Sequence, residues 1–147
     1  MDLAALFNEV PFNKLNGIEI TAAADGHAEG RLPYDEKLLS NPYGEVLHGG
    51  ATYALADMVA GAAVISQSGD VSPTVDMRMD YLAPATTDLV CAADVIRSGS
   101  HLAMVRAEVD DVTGTHVATA HGTYKTGGQG EQTPWGEETD LPNPDGE

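Results

Sequence analysis

Positive charge is what this sequence has least of. Lysine and arginine total 7 against 23 aspartates and glutamates, a formal net charge of −16. Such a surface repels nucleic acid, so no nucleic-acid partner is expected. There is one cysteine, Cys91, which excludes an internal disulfide. It lies in the apolar run LVCAADVI with nothing cationic near it in sequence, and reads as a buried, inert thiol. No run of 18 or more consecutive apolar residues occurs, which argues against a membrane span. The N-terminal MDLAALFNEVPF lacks the basic region and long apolar core of a secretory signal, so a cytoplasmic location is expected. A phosphate-binding glycine loop and a serine-nucleophile motif are both missing. His27, His116 and His121 have no metal-ligand spacing with a partner carboxylate or thiol, so neither a metal site nor a cofactor is expected.

The acids are spread along the chain rather than gathered in one run. Lysine is scarce, and alanine, valine and threonine are favoured over bulkier residues. This composition resembles that of halophilic proteins. At molar salt the Debye length is about 3 Å, and the mutual repulsion of the acids is screened.

What is present suffices for one folded domain over residues 1–125, since 147 residues with 42% hydrophobic content can bury a sizeable core. The pattern predicts a short helix over 2–10, stopped by Pro11. Strands over 17–24 and 27–33 flank the hairpin signal Asp25-Gly26, and a loop follows from Pro33 to Gly44. Ala51, Ala54, Leu55, Met58, Val59, Ala62 and Ile65 recur at helical spacing and predict one long helix over 50–67, apolar almost all round and so buried on several sides. Four strands follow, at 74–82, 89–97, 102–110 and 115–125, the first with Val75, Met77, Met79 and Tyr81 on one face. One buried helix with short antiparallel strands predicts an α+β layer of sheet against helix. Residues 126–147, rich in Gly, Pro and acids, read as a disordered tail in which Trp135 is solvated.

The stretch NPYGEVLHGGATYALADMVA concentrates the chemistry. A helix start exposes backbone N–H groups that lack internal partners. His48-Gly49-Gly50 offers no short side-chain cap for them, and glycine lets a ligand approach the backbone closely. Such a start favours negative charge and can stabilise an oxyanion growing on a carbonyl. Asp57 is a carboxylate inside the apolar helix, costly there unless paired, and suited to work as a general base or nucleophile. Gly49 and Asp57 are eight residues apart, about 12 Å along a helix axis. That is too far to bracket one carbonyl within one chain. Two antiparallel copies of the helix in a symmetric dimer would bring Asp57 of one near Gly49 of the other, twice over.

The chain resembles a known family in three places. These are Asn41…Gly44…Leu47-His48-Gly49-Gly50…Leu55-Ala56-Asp57; Thr74-Val75-Asp76-Met77…Tyr81-Leu82-Ala83-Pro84-Ala85; and Gly114…Val117-Ala118-Thr119-Ala120…Gly122-Thr123-Tyr124. Over about residues 10 to 125 they are similar to the hotdog-fold acyl-CoA thioesterases of the phenylacetic-acid-degradation type. The resemblance implies a hotdog fold, a long central helix wrapped by a curved antiparallel β-sheet. It implies homodimers assembled into homotetramers, with a site shared across the dimer and acyl-CoA as the substrate. It also implies that Asp57 is the base or nucleophile and the Gly49 amide the oxyanion donor. His48 and Asn41 would orient the thioester or the attacking water, and Thr74 would hold water beside Asp57. The Gly50, Arg78, Tyr81, Arg97, Ser98, Gly99 and His101 positions would contact substrate or CoA, whose phosphates need cations. Two other readings stand beside this one: a hotdog dehydratase or hydratase, and an acyl-CoA binding module without activity.

The composition carries one prediction of its own. Lowering salt from molar to about 0.1 M extends the Debye length to about 10 Å and lets the acids repel one another. Circular dichroism and sizing across a salt series are expected to show loss of assembly or of fold.

Overall fold

The computed structural model of the chain describes residues 2–127. Two short helices, α1 (Leu3–Asn8) and α2 (Pro11–Asn16), lead into a hairpin of β1 (Glu19–Ala24) and β2 (His27–Leu32). A 3-10 turn at Glu36–Leu38 precedes the long helix α3 (Gly49–Ser68). Four strands complete the fold: β3 (Thr74–Tyr81), β4 (Leu89–Ser98), β5 (Leu102–Asp111) and β6 (His116–Lys125). Helix α2 was not expected from the sequence. Pro11 ends the first helix but also opens the second, at the first helical position, where its missing N–H has no partner to lose. Most of the acidic tail lies outside the described residues, Trp135 included. Of the two tail residues described, Thr126 is buried; its N–H donates to the His101 carbonyl and its hydroxyl to that of Gly99.

The six strands form one sheet in the order β1-β2-β4-β5-β6-β3, every neighbouring pair antiparallel. Asp25 and Gly26 have positive φ angles of 53° and 82°, and Ala24 pairs with His27. This is the two-residue turn whose twist matches the strands it joins. Helix α3 lies against the inner face of the curved sheet. By length and composition alone α3 could cross a membrane; here Leu55, Ala56, Val59, Ala60, Ala62, Ala63 and Val64 are buried among Leu32, Leu89, Ala93, Val105, Ala107, Val109 and Ala120 of the strands. Small residues on both sides let helix and sheet approach closely. The expected burial on several sides holds for Val59–Val64, where six consecutive residues are buried, while the first half of the helix is covered on one side only. The stripe Gly50, Tyr53, Ala54, Asp57 and Met58 is exposed or half-buried.

The facing of β3 also differs from simple alternation. The register between β3 and β6 shifts between Thr74 and Asp76, so Val75 is an extra residue without a partner. A bulge of this kind reverses the facing of everything before it. Thr74 therefore joins Met77 and Met79 on the inner face, while Val75 turns outward and is 59% exposed.

Gly30 shows how tight the inner layer is. A Cβ there would sit 2.7 Å from Val59 Cγ2 and 2.9 Å from the Glu19 carbonyl oxygen, and the second neighbour is backbone of the adjacent strand. Gly30→Ala is expected to cost about 1–3 kcal/mol, the usual range for overpacking. Urea denaturation should show a lower midpoint with an unchanged slope.

Candidate active site

The segment before α3 is held at several points. Leu39 and Leu47 form an isolated bridge, the Ser40 N–H donates to the Val46 carbonyl, and the His48 N–H donates to that of Leu38 at 2.7 Å. The Leu47 N–H is taken by the Ala85 carbonyl. These contacts fix where the helix begins. His48 is extended, with φ −57° and ψ 136°, and its Nδ1 accepts the Gly50 N–H at 2.8 Å. The helix start is therefore not uncapped: the imidazole does the work of a short polar side chain. In the neutral ring Nδ1 is then the acceptor and Nε2 carries the proton, aimed away from the cap. The Ala51 N–H returns to the His48 carbonyl. The Gly49 N–H, in contrast, has no acceptor among the described residues.

Tyr81, at the end of β3, stands over this start. Its phenol donates to the Gly49 carbonyl at 2.7 Å, and a Cβ on residue 49 would lie 3.3 Å from its ring. A cleft of about 460 Å³ opens here, lined by Leu47, Gly49, Thr52, Tyr81, Pro84 and Val117 among others.

Asp57 lies two turns further along α3, on the half-covered stripe. Its Oδ1 accepts two hydrogen bonds, from the Thr74 hydroxyl at 2.7 Å and from the Tyr124 phenol at 2.8 Å. Its Oδ2 has no partner among the described residues. Thr74 thus bonds to the carboxylate directly, which its place beside a β-bulge allows. Burial first, then the nearby Asp57 carboxylate, push the Tyr124 phenol far above its ordinary value, so it is a neutral donor. Tyr53, also on the stripe, donates to the Met77 carbonyl at 3.1 Å. Burial and the charges of Asp57 and Asp76 raise its phenol as well.

Tyr124 is the member of this cluster that the sequence reading missed. Alternation along the last strand places it on the inner face. Nothing in the sequence says that the inner face meets Asp57 there.

The remaining candidates are more dispersed. Asn41 Oδ1 accepts the Tyr43 N–H at 3.0 Å and so braces its own loop; no hydrogen bond joins it to Gly49 or Asp57. Arg78 is paired with Asp80 at 2.9 Å and points away from the helix face. Arg97 is exposed and has no acidic partner among the described residues. It precedes the turn Ser98-Gly99-Ser100-His101, closed by the Gly99 N–H on the Leu102 carbonyl and clamped by Thr126. Leu102 pairs with Lys125, next to Tyr124, so this turn lies at the Asp57 end of the sheet. Cys91 is buried, and burial pushes its thiol well up, away from reactivity. Among the described residues no three His, Cys, Asp or Glu side chains are grouped as a metal site.

The structure therefore assembles two half-sites rather than one. Gly49, His48 and Tyr81 lie at the end of β3; Asp57, Thr74 and Tyr124 lie at its start. Helix geometry keeps them about 12 Å apart.

Residues 44–118 match the thioesterase superfamily, and the chain belongs to that superfamily. A protein of Halobacterium salinarum described as an esterase is 37% identical over 120 residues, 78% of each chain. The medium/long-chain acyl-CoA thioesterase YigI of Escherichia coli is 25% identical over 134 residues, 80% of this chain and 86% of that one. Among solved structures, the PaaI protein of the Escherichia coli phenylacetic acid degradation operon superposes with a TM-score of 0.77, over 84% of this chain and 89% of that one. At 23% identity it speaks for the hotdog fold alone. A thioesterase protein of Streptococcus pneumoniae solved with coenzyme A matches with a TM-score of 0.69 and 25% identity, over 76% and 87% of the two chains.

Proposed function

We propose that this protein is an acyl-CoA thioesterase that hydrolyses an aryl or aliphatic acyl-CoA to the free acid and CoA, at a site shared by two copies of the chain. Membership of the thioesterase superfamily supports hydrolysis of a thioester. One observation carries the finer reading: an unengaged helix-start amide and a braced carboxylate sit at opposite ends of the same edge strand. Strand β3 ends the sheet, so its outer side is open to pairing. Two β3 strands pairing antiparallel about a two-fold axis put the start of each beside the end of the other. Asp57 of one protomer then faces Gly49 of its partner, twice per dimer.

In that arrangement the thioester carbonyl oxygen points at the Gly49 N–H. The His48 Nε2–H is a second donor toward it, because Nδ1 is occupied by the cap. Asp57 Oδ2 either takes a proton from an attacking water or attacks the carbonyl carbon itself. The tetrahedral oxyanion forms against the amide, and its collapse expels the CoA thiolate. With water as nucleophile this gives the free acid, and the thiolate takes the proton held by Asp57. Direct attack instead leaves an acyl-Asp57 anhydride, which a water then hydrolyses to the acid and the regenerated carboxylate. A thioester is electrophilic enough for one carboxylate and one amide to suffice, so no further cofactor is required. The cleft beside Gly49 gives room for the substrate, and Arg97 offers a free cation to the phosphates of CoA. Arg78 has less to offer, being paired with Asp80. The similarity to the Halobacterium protein accords with a salt-adapted surface.

Thiol release from a panel of acyl-CoAs tests the activity; a binding module would take up acyl-CoA and release none. Asp57→Asn keeps the size of the side chain and still accepts from Thr74 and Tyr124. It is expected to lower hydrolysis by at least about 100-fold with the fold intact. Normal turnover by this variant would remove Asp57 from the chemistry.

The shared site is tested by subunit mixing. Gly49 is the first helical residue and His48 is extended, so Gly49→Pro deletes the amide proton at a position where proline is tolerated. Asp57→Ala and Gly49→Pro homodimers each have two damaged sites. Random exchange makes about half the dimers mixed, each with one intact site, so activity is expected to recover to about a quarter of normal. Proven exchange without recovery would place both groups within one chain.

A further inference from the structure

Of the two groups that hold Asp57, Tyr124 is the one nothing above accounts for. It is 1% exposed and is the largest fully buried side chain among the described residues. Its ring enters between two glycines. A Cβ on Gly122 would come within 2.8 Å of ring carbon Cε2, and one on Gly61 within 3.5 Å of Cε1. Gly61 is four residues after Asp57, so both lie on one face of α3. The glycine clears the path by which a tyrosine from β6 reaches the carboxylate. Its phenol lies 2.8 Å from Asp57 Oδ1 and 2.9 Å from the Asp57 backbone carbonyl. It has a single proton. The carbonyl already has a helical partner at residue 61, and a bond to a carboxylate is the stronger one.

From this geometry we infer that Tyr124 is a positioning residue. With Thr74 it fixes Oδ1 of Asp57, leaving Oδ2 as the oxygen that acts on the substrate. The inference rests on the thioesterase reading for its link to turnover, but not for the hydrogen bond itself. The groups facing Asp57 are Thr74 and Tyr124, which donate to it, and Tyr53, whose phenol feels its charge; no cation is paired with it among the described residues. With no cation recorded beside it, the two hydroxyl donors are what stabilises the charged form. A carboxylate that loses a hydrogen-bond donor holds its charge less well, so the acid limb of activity is expected at higher pH in a variant that lacks one.

The test uses the full-length protein. Tyr124→Phe keeps the ring between its glycines and removes only the donor. It is expected to lower kcat about 10-fold with little change in KM, and to move the acid limb of kcat up by about half to one pH unit. A purely structural role for the ring would move stability and leave the limb in place. Carbon-13 NMR of the aspartate carboxyls, with Asp57 identified by its loss in Asp57→Asn, reads the same shift without substrate. If the Phe variant does not fold, 3,5-difluorotyrosine placed at position 124 keeps the hydroxyl and makes it a stronger donor. The Asp57 titration should then move down. An unmoved titration in either protein overturns the inference. A shifted titration in a protein that hydrolyses no thioester leaves the bond standing and overturns the proposed function instead.

Discussion

The close packing of one alanine-rich helix against the inner face of the sheet is the constraint on which the rest depends. Helix α3 approaches β2 so nearly that a methyl group at Gly30 would strike Val59, and alanines recur on the buried faces of both helix and sheet. Interiors are dense enough that a shift of even a methylene is felt. The helix therefore has one depth and one rotation. That rotation leaves a stripe from Gly50 to Met58 uncovered, and Asp57 is on it. A carboxylate in an apolar helix is tolerated because its position is half open and its inner oxygen is met by two hydroxyls.

The start of the helix solves a different problem with the same economy. Four N–H groups at a helix start have no partner within the helix. A serine or aspartate cap offers an oxygen to the second or third of them. Here His48 supplies a ring nitrogen to Gly50, which satisfies the second amide and leaves the first, that of Gly49, unengaged. The ring orientation this requires turns its other nitrogen outward as a donor. One side chain thus both stabilises the helix and shapes the surface that a carbonyl oxygen would meet.

Electrostatics separates local order from global charge. The basic side chains are few, and Lys14, Arg31, Lys37, Arg78 and Arg106 are each within 4 Å of a carboxylate. All of these pairs are substantially exposed, and such pairs contribute roughly 0–1 kcal/mol each. They do little for the fold and little against a net charge of −16. Their consequence is that nearly every cation is occupied. Arg97, beside the turn clamped by Thr126, has no such partner among the described residues. An anionic ligand meeting this acidic surface would find its complement there.

The sequence by itself determined the elements and their order. The hydrophobic period marked α3 and the four strands after it to within a residue or two, and Asp25-Gly26 dictated its turn because two successive positive φ angles suit few other pairs. It also made Gly49 and Asp57 visible as candidates, and their separation along one helix is a matter of rise per residue. Only the tertiary structure decided how they are equipped. Thr74 faces inward because a register shift absorbs Val75, and a shift is a property of two paired strands rather than of one. His48 caps because the loop before it is pinned to Leu38 and Ala85, residues distant from the helix in different directions along the chain. Tyr124 meets Asp57 across 67 residues, through a gap that Gly61 and Gly122 leave on separate elements. Periodicity reports which way a side chain faces; only the packed chain decides what it meets.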